Sequence, residues 1–386
     1  MPNKKLEIGI VTQCIDNRKA MGTALVARRL VENLKEYNSE FNFTLIHQQK
    51  VDDSIYKDTK QLFIPNIKFP VGQAILNESI FWLKQRLFGK KFDIVHYLQP
   101  RVWPSYIFTN SKYIVCTPHD AGIMLDITKD TLASKVFRFT NKYLHQRMHK
   151  LMVVSEFAKR EVSKYFKYSL DKIFVVYNGI DANFKASGQD KNEIKKYLNS
   201  KYKIPEEKII LSVGRLDPHK NIINLIKAFN KILDKNQDLK LVIVGGKHIA
   251  DYDKKVLDLV SKLNLGDKVF ISGYIEEEDL PKVYEISELL VNASLHEGFG
   301  LPLLEAMSTG VAICCSDSTA LPEVAGDAAL TFNPNDIDDM ASKINLLISD
   351  DNLKQNLISK GLERIKNFSW EKSTEELVKQ YRKFYV

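Results

Sequence analysis

With 386 residues, 44% of them apolar and 27% charged, the chain is too apolar for a disordered polymer and too mixed for collagen or a coiled-coil rod. Its length suits two or three domains, each able to bury its own core. The net charge of +8 is lopsided: residues 1–185 hold 29 Lys and Arg against 17 Asp and Glu, whereas residues 186–386 hold 27 against 31. A basic first half expects an anionic partner, and charge alone leaves nucleic acid, a membrane surface and a phosphorylated substrate all open.

The start, MPNKKLEIGIVT, runs from a short charged lead straight into a strand-like segment. No uninterrupted apolar stretch approaches the ~20 residues needed to cross a bilayer, so neither a signal peptide nor a span is expected. Cys14, Cys116, Cys314 and Cys315 show no metal-ligand spacing and read as the thiols of a reduced, cytoplasmic chain.

Strand-like runs then recur in chain order: LEIGIVT, FTLIH, DIVHYL, YIVCT, LMVVS and IFVVYN. Between them lie helical spacings such as Leu25, Leu30 and Leu34, the alternation of a parallel sheet covered on both faces. Two segments mix apolar and cationic residues, Ile80 to Lys91 and Leu132 to Lys150. Each reads either as a helix packed on its sheet with a solvated basic face or as one lying on an anionic bilayer. After Val176 a polar, lysine-rich stretch reads as a linker with one helix. A second series follows, with strands IILSVG, LKLVIVGG, KVFISG, LLVNAS and VAICCS, helices near Leu225, Val256, Val283 and Leu304, and a helical tail from Ile337. The expectation is an α/β chain of two Rossmann-like, doubly wound domains facing a cleft, residues 1–185 and 186–365. A further helix is expected over 366–386, which in the architecture named below would pack on the first domain. Ligands of such sheets sit beyond the carboxyl ends of the strands.

The most informative stretch is LLVNASLHEGFGLPLLEAMSTG. A strand ends near Ala293, a loop carries Glu297, Gly298, Phe299 and Gly300, and a helix opens with Leu301 and Pro302, where a missing N–H costs nothing. No Ser, Thr, Asp or Asn precedes the proline to cap the first turn, and the glycines admit close approach to the backbone. This is an anion site at a helix start, with phosphate the expected guest. Glu297 and Glu305 bracket it; carboxylates do not hold phosphate but accept hydrogen bonds from sugar hydroxyls. Gly214, Arg215 and Lys220 follow the first strand of the second series and would place two cations at the sheet edge, suited to the charge on a departing diphosphate. His119 and Asp120 follow a first-half strand, and Gly22 opens the first helix. Two Asp-x-Asp pairs, Asp251 with Asp253 and Asp336 with Asp338, read as helix starts, and no metal is assigned to them.

Taken together, SVGRLDPHKN, YNGID, the Glu297 to Glu305 stretch and the FSW near the end resemble the retaining GT-B glycosyltransferases of family 4, group 1. The resemblance implies a metal-independent hexosyltransferase without cofactor. It would move a sugar from a UDP- or GDP-sugar to a glycan, lipid-linked or small-molecule acceptor in polysaccharide biosynthesis. It implies Arg215 and Lys220 on the diphosphate, Glu305 on the ribose and Glu297 on the donor sugar. Backbone N–H groups of Phe299, Gly300 and Leu301 would complete the donor site, with Gly273, Tyr274 and Ile275 along the base. His119 would stand near the transferred sugar, oriented by Asp120, and Gly22 would match a glycine loop that in the family often has two glycines, where this chain has Met21 and Gly22. A location on the inner face of the cell membrane would suit such a protein. A nucleotide-sugar epimerase or a nucleotide-sugar binder without turnover would use the same scaffold. A nicotinamide dehydrogenase lacks its G-x-G-x-x-G turn, and a nucleic-acid binder lacks its stacked aromatic platform.

Overall fold

The β-branched runs near the start assemble, in the computed structural model, into one parallel sheet. Its strands are β1 (Leu6–Val11), β2 (Phe41–His47), β3 (Lys60–Phe63), β4 (Phe92–Tyr97), β5 (Ser111–His119), β6 (Lys150–Val153) and β7 (Ile173–Val175). The structure describes residues 5–16, 22–49, 53–69, 72–98, 104–122, 139, 142–143, 148–182, 184–246 and 249–384. The order β3-β2-β1-β4-β5-β6-β7 reverses direction between β1 and β4, as in a doubly wound sheet. Ile8, Ile10, Ile94 and Val95 are fully buried because helices cover both faces. The helix expected over Leu132–Lys150 lies largely outside the described residues; of its aromatic side, Phe139 and Tyr143 are exposed.

The second sheet contains β8 (Lys208–Val213), β9 (Leu239–Val244), β10 (Val269–Gly273), β11 (Ser287–Asn292), β12 (Ala312–Ser316) and β13 (Leu330–Phe332), in the order β10-β9-β8-β11-β12-β13. Its direction reverses between β8 and β11. The core beneath it is made by Leu225, Ile226 and Phe229 of the helix Ile222–Ile232, with Leu241, Leu289, Met340 and Ile344. Burying each such side chain contributes roughly 1.5–3 kcal/mol.

The chain divides into two compact units, Met1–Asn178 with Trp370–Val386, and Gly179–Ser369. The divisions differ from the expected 185/186 and 365/366 for local reasons. Ile180 forms a parallel bridge with Ser369, and Phe368 is buried against Phe299 with ring centroids 6.0 Å apart. Both chain crossings therefore stay with the second sheet. The last helix, Trp370–Arg382, belongs to the first unit. There it buries Leu377, Val378 and Tyr381, and Arg382 forms a two-pronged pair with Glu40 at 2.8 and 2.7 Å.

The aspartate pairs fall at helix starts as read from the sequence. Asp336 caps the helix Ile337–Ser349 by accepting from the N–H groups of Asp338 and Asp339. Asp251 and Asp253 sit in the first turn of Ala250–Lys262, after a non-capping Ile249. All four cysteines are free, and no helix among the described residues is long and apolar enough to cross a membrane.

Candidate active site

At the carboxyl ends of β8, β9 and β10 stand three glycines with positive φ: Gly214 (147°), Gly245 (151°) and Gly273 (73°). They are bound in sequence, Gly214 N donating to Val244 O at 2.8 Å and Gly245 N to Gly273 O at 3.0 Å. A Cβ on Gly245 would lie 2.1 Å from the Gly214 carbonyl oxygen, so only glycine lets these two turns cross. The turn after β8 then carries Arg215, half exposed and 3.5 Å from Asp217, into a short 3₁₀ segment, Pro218–Lys220. Lys220 folds back over Gly214. A Cβ there would sit 3.0 Å from the lysine Cε.

On the neighbouring strand, β11, the chain leads through Ser294 to Glu297. Lys220 Nζ meets Glu297 Oε1 at 2.5 Å, and Ser294 Oγ donates to the same oxygen at 2.9 Å. The loop is fixed from both sides: Leu295 N donates to His219 O at 2.7 Å, and Glu297 N to Thr319 Oγ1 at 3.1 Å. Burial drives the Glu297 carboxyl upward, but the adjacent Lys220 ammonium and the Ser294 hydroxyl outweigh it and hold it below the usual carboxylate range. The pair thus joins the two loops that flank the second sheet's switch point, where open α/β sheets place their ligands.

The helix Leu301–Thr309 starts as the sequence predicts, with Gly300 at its N-cap (φ 102°), Pro302 in its first turn and no side chain capping its N–H groups. Gly300 is also sterically required, because a Cβ would come 2.6 Å from Leu321 Cδ2. Glu305, one turn in, is half-buried and accepts from Tyr284 Oη at 2.5 Å. Burial pushes its carboxyl up to about 7, against the opposing pull of the tyrosine hydrogen bond and of Lys220. Of the residues expected along a base, Tyr274 is exposed and Ile275 is buried, so Ile275 offers backbone rather than side chain.

In the first unit, Pro118 lacks the N–H that an interior strand needs. The β5–β6 ladder accordingly shifts register, with Cys116 opposite Leu151 and His119 opposite Val153. The bulge leaves His119 in a left-handed conformation (φ 65°), buried, with Nε2 unpartnered. Burial lowers its imidazole to about 4. An orphaned buried nitrogen marks a place where a ligand could supply the missing partner. Asp120 accepts from Gly122 N at 2.8 Å, which closes a turn. Gly22 caps the helix Thr23–Leu34 at φ 65° without a side-chain bond; Met21 lies outside the described residues. Sequence reasoning missed Ser294, Thr319 and Tyr284, which hold the two glutamates, and Gly245, visible only as a strand-end glycine.

Residues 193–364 match the group 1 glycosyl transferases and residues 22–184 match Glycosyltransferase Family 4. The O-antigen chain mannosyltransferase B of Escherichia coli is 31% identical over 248 residues, 64% of this chain and 64% of that protein. The serotype-specific mannosyltransferase WbdA of Escherichia coli is 30% identical over 260 residues, 66% of this chain and 32% of its own length. The matched stretches therefore span less than two thirds of either protein. RfbU, an O-antigen chain mannosyltransferase of Salmonella typhimurium, is 30% identical over 62% of this chain and 68% of its own. Among solved structures, the sucrose-phosphate synthase of Thermosynechococcus elongatus aligns over 99% of both chains with a TM-score of 0.78 at 20% identity. Anabaena HepE in complex with UDP-glucose aligns over 98% of this chain and 100% of its own with a TM-score of 0.77 at 16% identity. The two parallel sheets are those of the GT-B architecture. The chain belongs to the family 4, group 1 glycosyltransferases.

Proposed function

We propose that this protein is a retaining, metal-independent hexosyltransferase that takes its sugar from a UDP- or GDP-sugar. The observation that carries the reading is the Lys220–Glu297 pair beside the uncapped start of Leu301–Thr309. A nucleotide-sugar presents both complements at once, a diphosphate for the cation and bare N–H groups, and sugar hydroxyls for the carboxylate. Donor binding would draw Lys220 toward phosphate and free Glu297 to accept from the sugar, while Glu305 takes the ribose hydroxyls. Gly214 and Gly298, with the N–H groups of Phe299, Gly300 and Leu301, complete the donor contacts, and Gly273, Tyr274 and the Ile275 backbone border the base.

Arg215 and Lys220 stabilise charge on the departing diphosphate, the role a bound metal plays elsewhere. In the same-face attack expected of the family, the leaving phosphate itself takes the acceptor's proton. His119 and Gly22 are assigned to the transferred sugar and its surroundings. The names of the relatives support mannose as the sugar, and their O-antigen chains support a glycan or lipid-linked acceptor. An anionic membrane surface is the third partner proposed, met at the inner face of the cell membrane by the basic first domain, and no nucleic acid is proposed.

The test is a thermal-shift screen with UDP-, GDP- and ADP-sugars, followed by mass spectrometry of any donor hydrolysed. Stabilisation by one nucleotide-sugar, abolished in Lys220→Ala, is the expected result. Acceptor-independent isomerisation of the sugar would assign the scaffold to an epimerase instead.

A further inference from the structure

The helix Gln73–Phe88 has its polarity inverted. It buries Asn77 and Glu78 beside Phe81 and Trp82, and turns Leu76, Ile80, Leu83 and Leu87 outward at 41, 40, 43 and 72% exposure, with Phe88 at 84%. Positions 76, 80, 83 and 87 recur at helical spacing, so they form one stripe opposite the buried face. Isolated exposed leucines are ordinary; a continuous ridge marks an interaction surface. Ile67, itself 47% exposed, lies on the segment that the buried Asn77 side chain clamps, donating to Ile67 O at 3.0 Å and accepting from Ile67 N at 3.1 Å.

Charge identifies the occupant. Lys84 and Arg86 leave the helix on either side of the stripe, and Lys91 follows its end; all three are exposed. Lys90, by contrast, is engaged by Glu7 at 2.6 Å. The one acidic residue of the helix, Glu78, is buried on the opposite face. We propose that this face docks on an anionic phospholipid bilayer, the apolar stripe entering the acyl boundary while the flanking cations meet headgroups. The inference deepens the membrane partnership proposed above and is independent of sugar transfer.

Flotation of the full chain with vesicles of phosphatidylcholine, with and without phosphatidylglycerol, tests it. Binding should require the anionic lipid and weaken with salt. Leu87→Glu with Phe88→Glu should abolish it, and Lys84→Gln with Arg86→Gln should lower affinity about 25-fold, at about 5-fold per charge. Each variant should keep the thermal shift given by the donor, which reports a folded chain. Failure of the wild type to float, or undiminished flotation of the Leu87/Phe88 variant, would overturn the proposal. So would a concentration-dependent dimer, abolished by the same two substitutions and without vesicle binding, because that would give the face to a second copy. Absence of any donor-induced shift in the wild type would count against the transferase reading and leave the flotation result standing.

Discussion

Lys220 has two tasks. It neutralises Glu297 in the unliganded protein and, in the proposed reaction, the diphosphate. Lys220→Ala should reduce turnover by about 10²- to 10³-fold, the usual cost of one preorganised charge. Turnover within about threefold of wild type would remove it from the mechanism. Arg215→Lys should also impair turnover, since an ammonium does not reproduce the guanidinium fork. Glu78 makes a residue-scale prediction free of the reaction. It is buried, and Ser105 Oγ donates to its Oε2 at 2.6 Å. Burial raises it from the ordinary 4.5 to about 7, against the hydrogen bonds of Ser105 and Gln13. In the window between these values the unfolded chain ionises and the folded one does not. Stability should therefore fall as pH rises through it, by about 3 kcal/mol from this group. Denaturation midpoints across that window should show a smaller decline in Glu78→Gln than in wild type; an unchanged slope would exclude the assignment.

At the scale of elements, the glycine row across β8, β9 and β10 sets the shape of the floor proposed for the donor. Gly245→Ala should cost about 2–4 kcal/mol, combining a positive φ with a Cβ driven against the Gly214 carbonyl, and a urea midpoint would read it. The sequence revealed most of these elements, because long β-branched runs such as IILSVG and LKLVIVGG have no other stable arrangement. It missed β3 and β13, whose KQLF and LTF are short, weakly apolar edge strands. The uncapped Pro302 helix start was legible because capping is local in sequence. The Lys220–Glu297 contact was not, since it depends on β11 lying beside β8, an order that periodicity does not encode. Helix Gln73–Phe88 shows the same limit. Leu76, Ile80, Leu83 and Leu87 make as good a core stripe as Phe81 and Trp82, yet the face turned inward is the one that carries Asn77 and Glu78 with the two aromatics. Of the two readings the sequence left open, a solvated basic face or a helix lying on a bilayer, the first needs amending, because the exposed face is apolar with basic flanks.

For the whole molecule, the last helix is the part of the first unit that arrives latest in the chain. Leu377, Val378 and Tyr381 are fully buried. Tyr381 stacks edge-on to Phe41 at 6.2 Å, and its hydroxyl meets His96 Nδ1 at 2.6 Å, while His96 Nε2 meets Thr117 Oγ1 at 2.8 Å. Burial, with His119 nearby, lowers His96 to about 3, so this chain of bonds runs through a neutral imidazole. Ending the chain after Ser369 would uncover those apolar side chains' partners at about 1.5–3 kcal/mol each and strand the His96 nitrogen at about 1–3 kcal/mol more. That loss is comparable to the 5–15 kcal/mol that stabilises a typical domain. Hydrogen-exchange mass spectrometry of the truncated chain should therefore show protection lost through β1, β2 and β4 and kept through β8, β9 and β11. Tyr381→Phe, which removes only the hydroxyl, should lower the stability of the same unit by about 1–3 kcal/mol without unfolding it. Equal loss of protection in both sheets would mean that the last helix supports the whole chain rather than the first unit, and unchanged protection in both would mean that its burial contributes little.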